Sequence, residues 1–181
     1  MRWYWIDRFE EFVSGQRAVA LKCLSIVEEH VDRYVPARPS MSGALILEGF
    51  AQTGGLLVGE HNGFQKRVVL AKVSKAEFHT YPRPGDVMRY TCTLEQYDDS
   101  GAQVLATSHI NGELQCAAEM MFGHVPPAPG IPDEMFEPAD FLTMIRTFRM
   151  YEVLRDSEGN LKPPPPHLLA AEKLAAEPYI M

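Results

Sequence analysis

The sequence predicts an α+β protein in which an antiparallel sheet wraps around one enclosed helix. Two observations predict this class. The residues from Gly43 to about Gly59 form an apolar stretch that is too long for an ordinary strand, which indicates a buried helix. The residues after Phe64 alternate between apolar and polar side chains in short segments that turn motifs separate. These elements fit two packed layers around one core.

The composition fits one well-buried core with an appendage. The chain has 181 residues, of which 46% are hydrophobic, so we do not expect two full domains. The net charge of −7 argues against a nucleic-acid-binding protein, because phosphate binding needs an excess of cations. Charged residues within Asp7–Glu11 argue against a signal peptide, and the longest apolar run carries Glu48 and Gln52. We therefore expect a cytoplasmic protein without a membrane span.

The cysteines indicate neither a disulfide framework nor a metal site. Cys23, Cys92 and Cys116 are odd in number, widely spaced and set in strand-like segments. This pattern is typical of small buried thiols rather than of a zinc site. The sequence therefore implies no metal.

The first predicted element is a half-buried strand from Arg17 to Ser25, because apolar side chains alternate along it. Pro36 and Pro39 exclude a regular helix from the next segment, which we predict to be an irregular loop. Ser42 is a good helix cap, so the buried helix should begin beside it.

Four further strands should follow the helix. Alternation predicts them over residues 68–81, 87–97, 102–110 and 113–125. Asn111-Gly112 is the strongest turn signal among them, because both residues tolerate the positive φ of a type I′ hairpin turn. The strands should therefore form an antiparallel meander that completes a domain of residues 1–125.

Residues 126–181 are predicted to be a proline-rich linker and a helical extension. Within residues 138–155, Phe141, Ile145 and Phe148 fall on one stripe, as expected of an amphipathic helix. Four prolines precede a second helical stretch that begins at residue 167. These pieces are too small for a core of their own, so we expect them to dock on the sheet or on a second subunit.

Glu48 is the acidic group inside the apolar helix and the first candidate for chemistry. A buried carboxylate is costly unless it is paired, hydrogen-bonded or protonated. Burial would raise its pKa, which suits a group that delivers a proton near neutral pH. The alternative is a structural glutamate, satisfied by loop backbone or lying at an interface rim. Gln52 lies one helical turn further on the same face, where it could bond near Glu48 or fill space.

The segment RYVPARPSMSGALILEGFAQTGG resembles the signature of the 3-hydroxyacyl-ACP dehydratases, the FabA/FabZ family. In that family a loop of the form GHFPxxPxMPG leads into a helix that contains E-A-x-A-Q. The matching residues are Pro36, Arg38, Pro39, Met41, Gly43, Glu48, Ala51 and Gln52. RPGDVMRY also resembles the family's PGD turn and its following strand. The resemblance spans roughly residues 7–125 and implies the hot-dog fold.

The resemblance also implies a reaction and its partners. It implies a homodimer, which can assemble into a trimer of dimers, with active sites at the interface and no cofactor. The substrate is a 3-hydroxyacyl group on the phosphopantetheine of acyl carrier protein. In such sites a loop histidine removes the C2 proton, and a helix carboxylate from the partner subunit assists departure of the C3 hydroxyl. Glu48 takes the carboxylate role, and the backbone N–H of Gly43 holds the thioester carbonyl. The residues implied to bind substrate are Arg38, Pro39, Met41 and Gln52.

The sequence departs from the family at the catalytic histidine, where Tyr34 stands. The pKa of a phenol is about 10, which is about three units above pH 7. Forming the phenolate that could act as a general base therefore costs about 4 kcal/mol. Tyr34 could donate a proton while Glu48 acts as the base, or His30 or His79 could replace the missing histidine. The competing hypotheses are a hydro-lyase, an impaired acyl-binding subunit that pairs with an active homologue, and a hot-dog thioesterase.

Overall fold

The computed structural model describes residues 4–31, 39–126 and 136–176. Within these ranges the strands are β1 (Arg8–Val13), β2 (Arg17–Cys23), β3 (Arg67–Phe78), β4 (Val87–Tyr97), β5 (Gly101–Ile110), β6 (Glu113–Val125) and β7 (Leu154–Arg155). The helices are α1 (Gly43–His61), α2 (Pro138–Thr147), α3 (Met150–Val153) and α4 (Pro166–Ala176).

The described strands form one sheet in the order β3-β6-β5-β4-β2-β1-β7. Neighbouring strands are antiparallel except β1 and β7, which are parallel. Asn111 and Gly112 have φ values of 52° and 83°, as the predicted type I′ turn between β5 and β6 requires. The predicted strands after the helix are therefore present in the predicted order, although β3 ends at Phe78 rather than at residue 81.

Helix α1 lies inside the curve of the sheet and contacts every strand from β2 to β6. Ile46, Phe50 and Leu57 carry this contact and have no exposed surface. The buried ring of Tyr90 comes so close that a Cβ at Gly49 would lie 2.3 Å from its Cζ atom, so only glycine fits there. The predicted α+β class, with an antiparallel sheet around a central helix, is confirmed.

The extension packs on the same core as the sheet. Leu142, Ile145 and Phe148 are buried in the hydrophobic cluster that also contains α1 and the strands. The single helix predicted over residues 138–155 is wrong, because Arg149 adopts a left-handed φ of 57° and breaks it into α2, α3 and β7. The break lets Leu154 reach the core, where its strand pairs with β1.

The cysteines are all free thiols. Cys92 and Cys116 are buried as predicted, but Cys23 is exposed because it ends β2, where the strand leaves the core. No helix in the described ranges is long and apolar enough to cross a membrane.

Candidate active site

A cavity of about 720 Å³ lies between α1 and the C-terminal helices. Its lining on α1 consists of Glu48, Ala51, Gln52, Gly55, Leu56 and Gly59. These positions recur every three or four residues, so they share the side of the helix opposite its contact with the sheet. The face of α1 that is left free by the sheet therefore carries the predicted catalytic carboxylate.

Glu48 is held in a defined orientation at this cavity. Its Oε1 atom accepts a hydrogen bond from Nε2 of Gln52 at 2.8 Å, and Oε1 of Gln52 accepts one from the backbone N–H of Trp5 at 3.0 Å. Because a backbone N–H can only donate, the amide oxygen must face Trp5 and the amide nitrogen must face Glu48. The site therefore has a half-buried carboxylate whose position is set by its neighbour one turn along the helix.

The N-terminus of α1 is formed by Ser42 and Gly43. Ser42 occupies the cap position, as predicted, but its side chain makes no capping hydrogen bond in the described structure. A Cβ at Gly43 would lie 2.9 Å from Cζ of Phe78, whose ring stacks on Tyr81 at a centroid distance of 6.0 Å. A larger residue at this position would push aside the aromatic ring that covers the first turn. The helix dipole places partial positive charge at the same end.

Two of the residues predicted to bind substrate, Met41 and Pro39, do not line the cavity. Met41 is fully buried in the core, and its backbone N–H donates to the carbonyl oxygen of Pro82 at 2.9 Å. Pro39 is partly buried beside it and is not part of the lining. Tyr34 and Arg38 lie outside the described residues, so their predicted roles stay predictions.

The two alternative histidines have different surroundings. The ring of His30 lies 5.0 Å from the ring of Trp5, which also bonds to Gln52 through its backbone. Burial lowers the pKa of His30 below its ordinary value and so favours the neutral imidazole. His79 is exposed in the loop after β3. Of these two histidines, His30 is the one that contacts the network around Glu48.

Residues far from Glu48 in sequence supply the opposite side of the cavity. They include the apolar residues Phe64, Val68, Phe136, Pro138, Phe141, Met144, Phe148 and Leu168 and the polar or charged residues Gln65, Lys66, Arg67, Glu137, Asp140 and His167. Phe141 packs edge-on against Phe64 at 5.0 Å and stacks with Phe136 at 5.6 Å. The amphipathic stripe of residues 138–155 signalled that this segment docks, but no local pattern indicated that it faces Glu48.

An antiparallel sheet that wraps around one long central helix is the hot-dog fold. The model of the FabA-like domain matches residues 3–120. The chain belongs to the FabA-like domain family. The predicted resemblance and the hot-dog fold are thus confirmed, and the C-terminal helices that line the cavity lie beyond the matched region.

Similar proteins include dehydratases by name. The chain is 34% identical over 118 residues to the 3-hydroxyacyl-[acyl-carrier-protein] dehydratase FabZ of Oenococcus oeni, which covers 65% of this chain and 85% of that protein. It is 36% identical over 125 residues to the protein of the same name from Chloroflexus aggregans, covering 67% of this chain and 85% of that protein.

Solved structures share the fold at low sequence identity. The dehydratase heterocomplex ApeI:P from Xenorhabdus doucetiae matches with a TM-score of 0.58 and 12% identity, over 68% of this chain and 84% of that chain. A hypothetical thioesterase with coenzyme A from Streptococcus pneumoniae TIGR4 matches with a TM-score of 0.54 and 12% identity, over 65% and 84%. One fold therefore hosts different chemistries, and the site must decide between them.

Proposed function

We propose that this protein is a (3R)-hydroxyacyl-ACP dehydratase-like hydro-lyase of fatty acid or lipid biosynthesis with a non-standard active site. It removes water from a 3-hydroxyacyl thioester and releases the 2-enoyl thioester. The observation that carries this proposal is Glu48, a carboxylate that lines the cavity and is oriented by Gln52. The relatives named as FabZ dehydratases support the same reaction class.

Glu48 and Tyr34 divide the proton transfers in this proposal. The carboxylate of Glu48 takes the proton from C2, and the electron pair of that bond forms the double bond to C3. Tyr34 donates its phenolic proton to the C3 hydroxyl, which leaves as water. A phenol suits the donor role because its ordinary pKa of about 10 keeps it protonated at pH 7. Transfer of the proton from Glu48 to the phenolate restores both groups.

The first turn of α1 is proposed to stabilise the charge that develops on the thioester oxygen. Gly43 opens the helix, and the side chain of Ser42 leaves the first-turn N–H groups uncapped in the described structure. Free N–H donors at a helix N-terminus, with the positive end of the dipole, favour an oxyanion. The thioester carbonyl is therefore assigned to the backbone N–H of Gly43.

Turnover of 3-hydroxyacyl-ACP, followed by mass spectrometry, tests this assignment. Glu48→Gln and Tyr34→Phe should each lower kcat by about 10²–10⁴-fold, because each removes a proton-transfer group. Glu95→Gln is the matched control, since Glu95 is an exposed carboxylate on β4. The proposal fails if the natural protein neither dehydrates 3-hydroxyacyl-ACP nor hydrates 2-enoyl-ACP at any chain length.

A second candidate function is a catalytically impaired subunit that binds an acyl thioester or acyl carrier protein beside an active homologue. Tyr34 in the position of the family histidine favours it, and the fold match to a dehydratase heterocomplex supports such pairing. An inactive natural protein that gains dehydration upon Tyr34→His would select this function. Release of free fatty acid instead of enoyl product would select a thioesterase.

Two assembly partners belong to the proposal, acyl carrier protein and a second copy of the chain. Strand β3 ends the sheet, and its twelve residues pair only with β6 in the described structure. An unpaired edge of this length presents backbone donors and acceptors that a second β3 can continue. Light scattering should therefore give the mass of a dimer or of a trimer of dimers, and a monomer at micromolar concentration would contradict the assembly.

A further inference from the structure

The extension that lies beyond the family match supplies a wall of the cavity. We call Phe136, Phe141, Met144, Phe148 and Leu168 the C-terminal wall. All of them follow residue 120, where the match to the FabA-like domain ends. This part of the cavity is therefore an addition of this chain to the family's domain.

The C-terminal wall is firmly joined to the sheet. The backbone N–H of Phe9 donates to the carbonyl oxygen of Phe148 at 2.8 Å, and β7 continues the sheet beside β1. Lys162 bonds to Glu60 near the end of α1. These contacts hold the wall at a set distance from α1.

Helix α2 lies along the free face of α1 in the opposite direction. The C-terminal end of α2 lies at the Glu48 end of α1. Phe148, which follows α2, packs on Tyr4 at 5.5 Å, and the neighbour of Tyr4, Trp5, donates a hydrogen bond to Gln52. Its first turn is at the far end, because Phe141 packs on Phe64, which follows α1. Met144 lines the cavity between these two points.

The length of the cavity can be read from α1. Glu48 and Gly59 both line it, and eleven steps along an α-helix cover about 16 Å. An extended hydrocarbon advances about 1.25 Å per carbon, given a bond of about 1.52 Å and an angle of about 111°. The cavity is thus long enough for roughly twelve carbons, and its volume of about 720 Å³ is in the range of small-molecule sites.

We propose that the C-terminal wall is an acyl-length gauge, which accepts a linear acyl chain of about ten to twelve carbons along α1. The thioester end of the acyl group lies at Glu48, and its methyl end meets the aromatic pair Phe141 and Phe64. Met144 is the specificity-determining residue in the middle. This inference rests on the proposed function for the identity of the ligand, but it concerns binding and not turnover.

Calorimetric binding of saturated S-alkyl-pantetheine thioethers tests the gauge without any reaction. Affinity in the natural protein should rise roughly fourfold per methylene up to about ten to twelve carbons and then stop rising. Met144→Trp should weaken binding of the ten-carbon probe at least about tenfold and leave the four-carbon probe unchanged, because the indole fills the middle of the cavity. Phe141→Ala should move the plateau to longer probes. Thr143→Trp is the control, since it places the same indole on the exposed side of α2.

The outcomes separate this inference from the proposed reaction. Equal chain-length profiles for the natural protein and for both Met144→Trp and Phe141→Ala, with all three folded by circular dichroism, would overturn the gauge. The reaction would still stand if the natural protein turned over 3-hydroxyacyl-ACP. Conversely, a length-dependent plateau that shifts in the variants supports the gauge even where no turnover is detected.

Discussion

Replacing Lys162 with methionine should weaken the junction between the extension and α1. Nζ of Lys162 donates to Oε1 of Glu60 at 2.5 Å and to Oγ of Ser14 at 2.9 Å. The Glu60 side chain is only 4% exposed, whereas that of Lys162 is 37% exposed. Methionine keeps most of the aliphatic stem and removes the ammonium, so the buried carboxylate loses its counter-ion.

The size of the effect follows from the unequal burial of the two partners. Removing one partner of a fully buried ion pair costs about 3–5 kcal/mol. An exposed pair contributes about 0–1 kcal/mol, because solvent screens it. Since Glu60 is buried and Lys162 is partly exposed, we expect Lys162→Met to lower the free energy of unfolding by about 2 kcal/mol. In a chain of this size that corresponds to a fall in Tm of roughly 4–8 °C.

Urea unfolding followed by tryptophan fluorescence measures this loss. Lys173→Met is the control, because it removes an exposed lysine from α4. Adding Glu60→Gln to Lys162→Met should recover a large part of the stability, since a neutral amide costs less to bury than an unpaired carboxylate. A loss below about 0.5 kcal/mol for Lys162→Met would refute the argument, because it would equal an ordinary surface change.

Three further predictions concern the core, the pH response and the composite site. Gly49→Ala should lower the free energy of unfolding by about 1–3 kcal/mol, because the new methyl group would overlap a buried tyrosine ring of β4. Gly55→Ala is the control and should not lower it, because its Cβ would make ordinary contact at 3.5 Å. The lowered pKa of His30 means that the unfolded chain binds its proton first as pH falls, so stability should drop below about pH 6.5, and less so in His30→Gln. When Glu48→Gln and Tyr34→Phe subunits are mixed and reassociated, half of the random dimers contain one subunit of each kind. Each such heterodimer holds one intact site of two, so the mixture should regain about a quarter of natural turnover.

Each of these predictions has an outcome that contradicts it. Equal urea midpoints for the two glycine variants would show that the tyrosine ring can move without cost. If the free energy of unfolding fell equally with pH in the natural protein and in His30→Gln, the imidazole of His30 would not contribute to the pH dependence. Failure of the mixed subunits to regain turnover, with heterodimers shown by native mass spectrometry, would place both groups in one subunit.

The elements that the sequence predicted are those whose signals are local. The hairpin at Asn111-Gly112 needs two residues that tolerate positive φ, and adjacent residues alone encode that. The alternation of side chains did not predict β1 as a separate strand, because a register shift between Phe9 and Glu11 interrupts it. Phe9 and Phe12 are both buried although they are three residues apart, a spacing that does not match a regular strand.

The position of the extension shows what local patterns leave open. An amphipathic stripe indicates that a helix will bury one side, but it does not identify the surface that receives it. Docking on the sheet and docking on a second subunit were both compatible with residues 138–155. The tertiary structure places the extension against the C-terminal end of α1 in the same chain, through Phe141 against Phe64 and Lys162 against Glu60.

The sequence by itself determined that a carboxylate, Glu48, lies in an apolar helix with Gln52 one turn away, because the spacing of four residues sets which side chains share a helical face. Only the tertiary structure decided that Trp5 orients Gln52 and that the C-terminal wall turns this face into a cavity. Trp5 lies 47 residues before Gln52, and the wall follows a linker. Such contacts depend on how the chain closes on itself in space, and no local pattern encodes them.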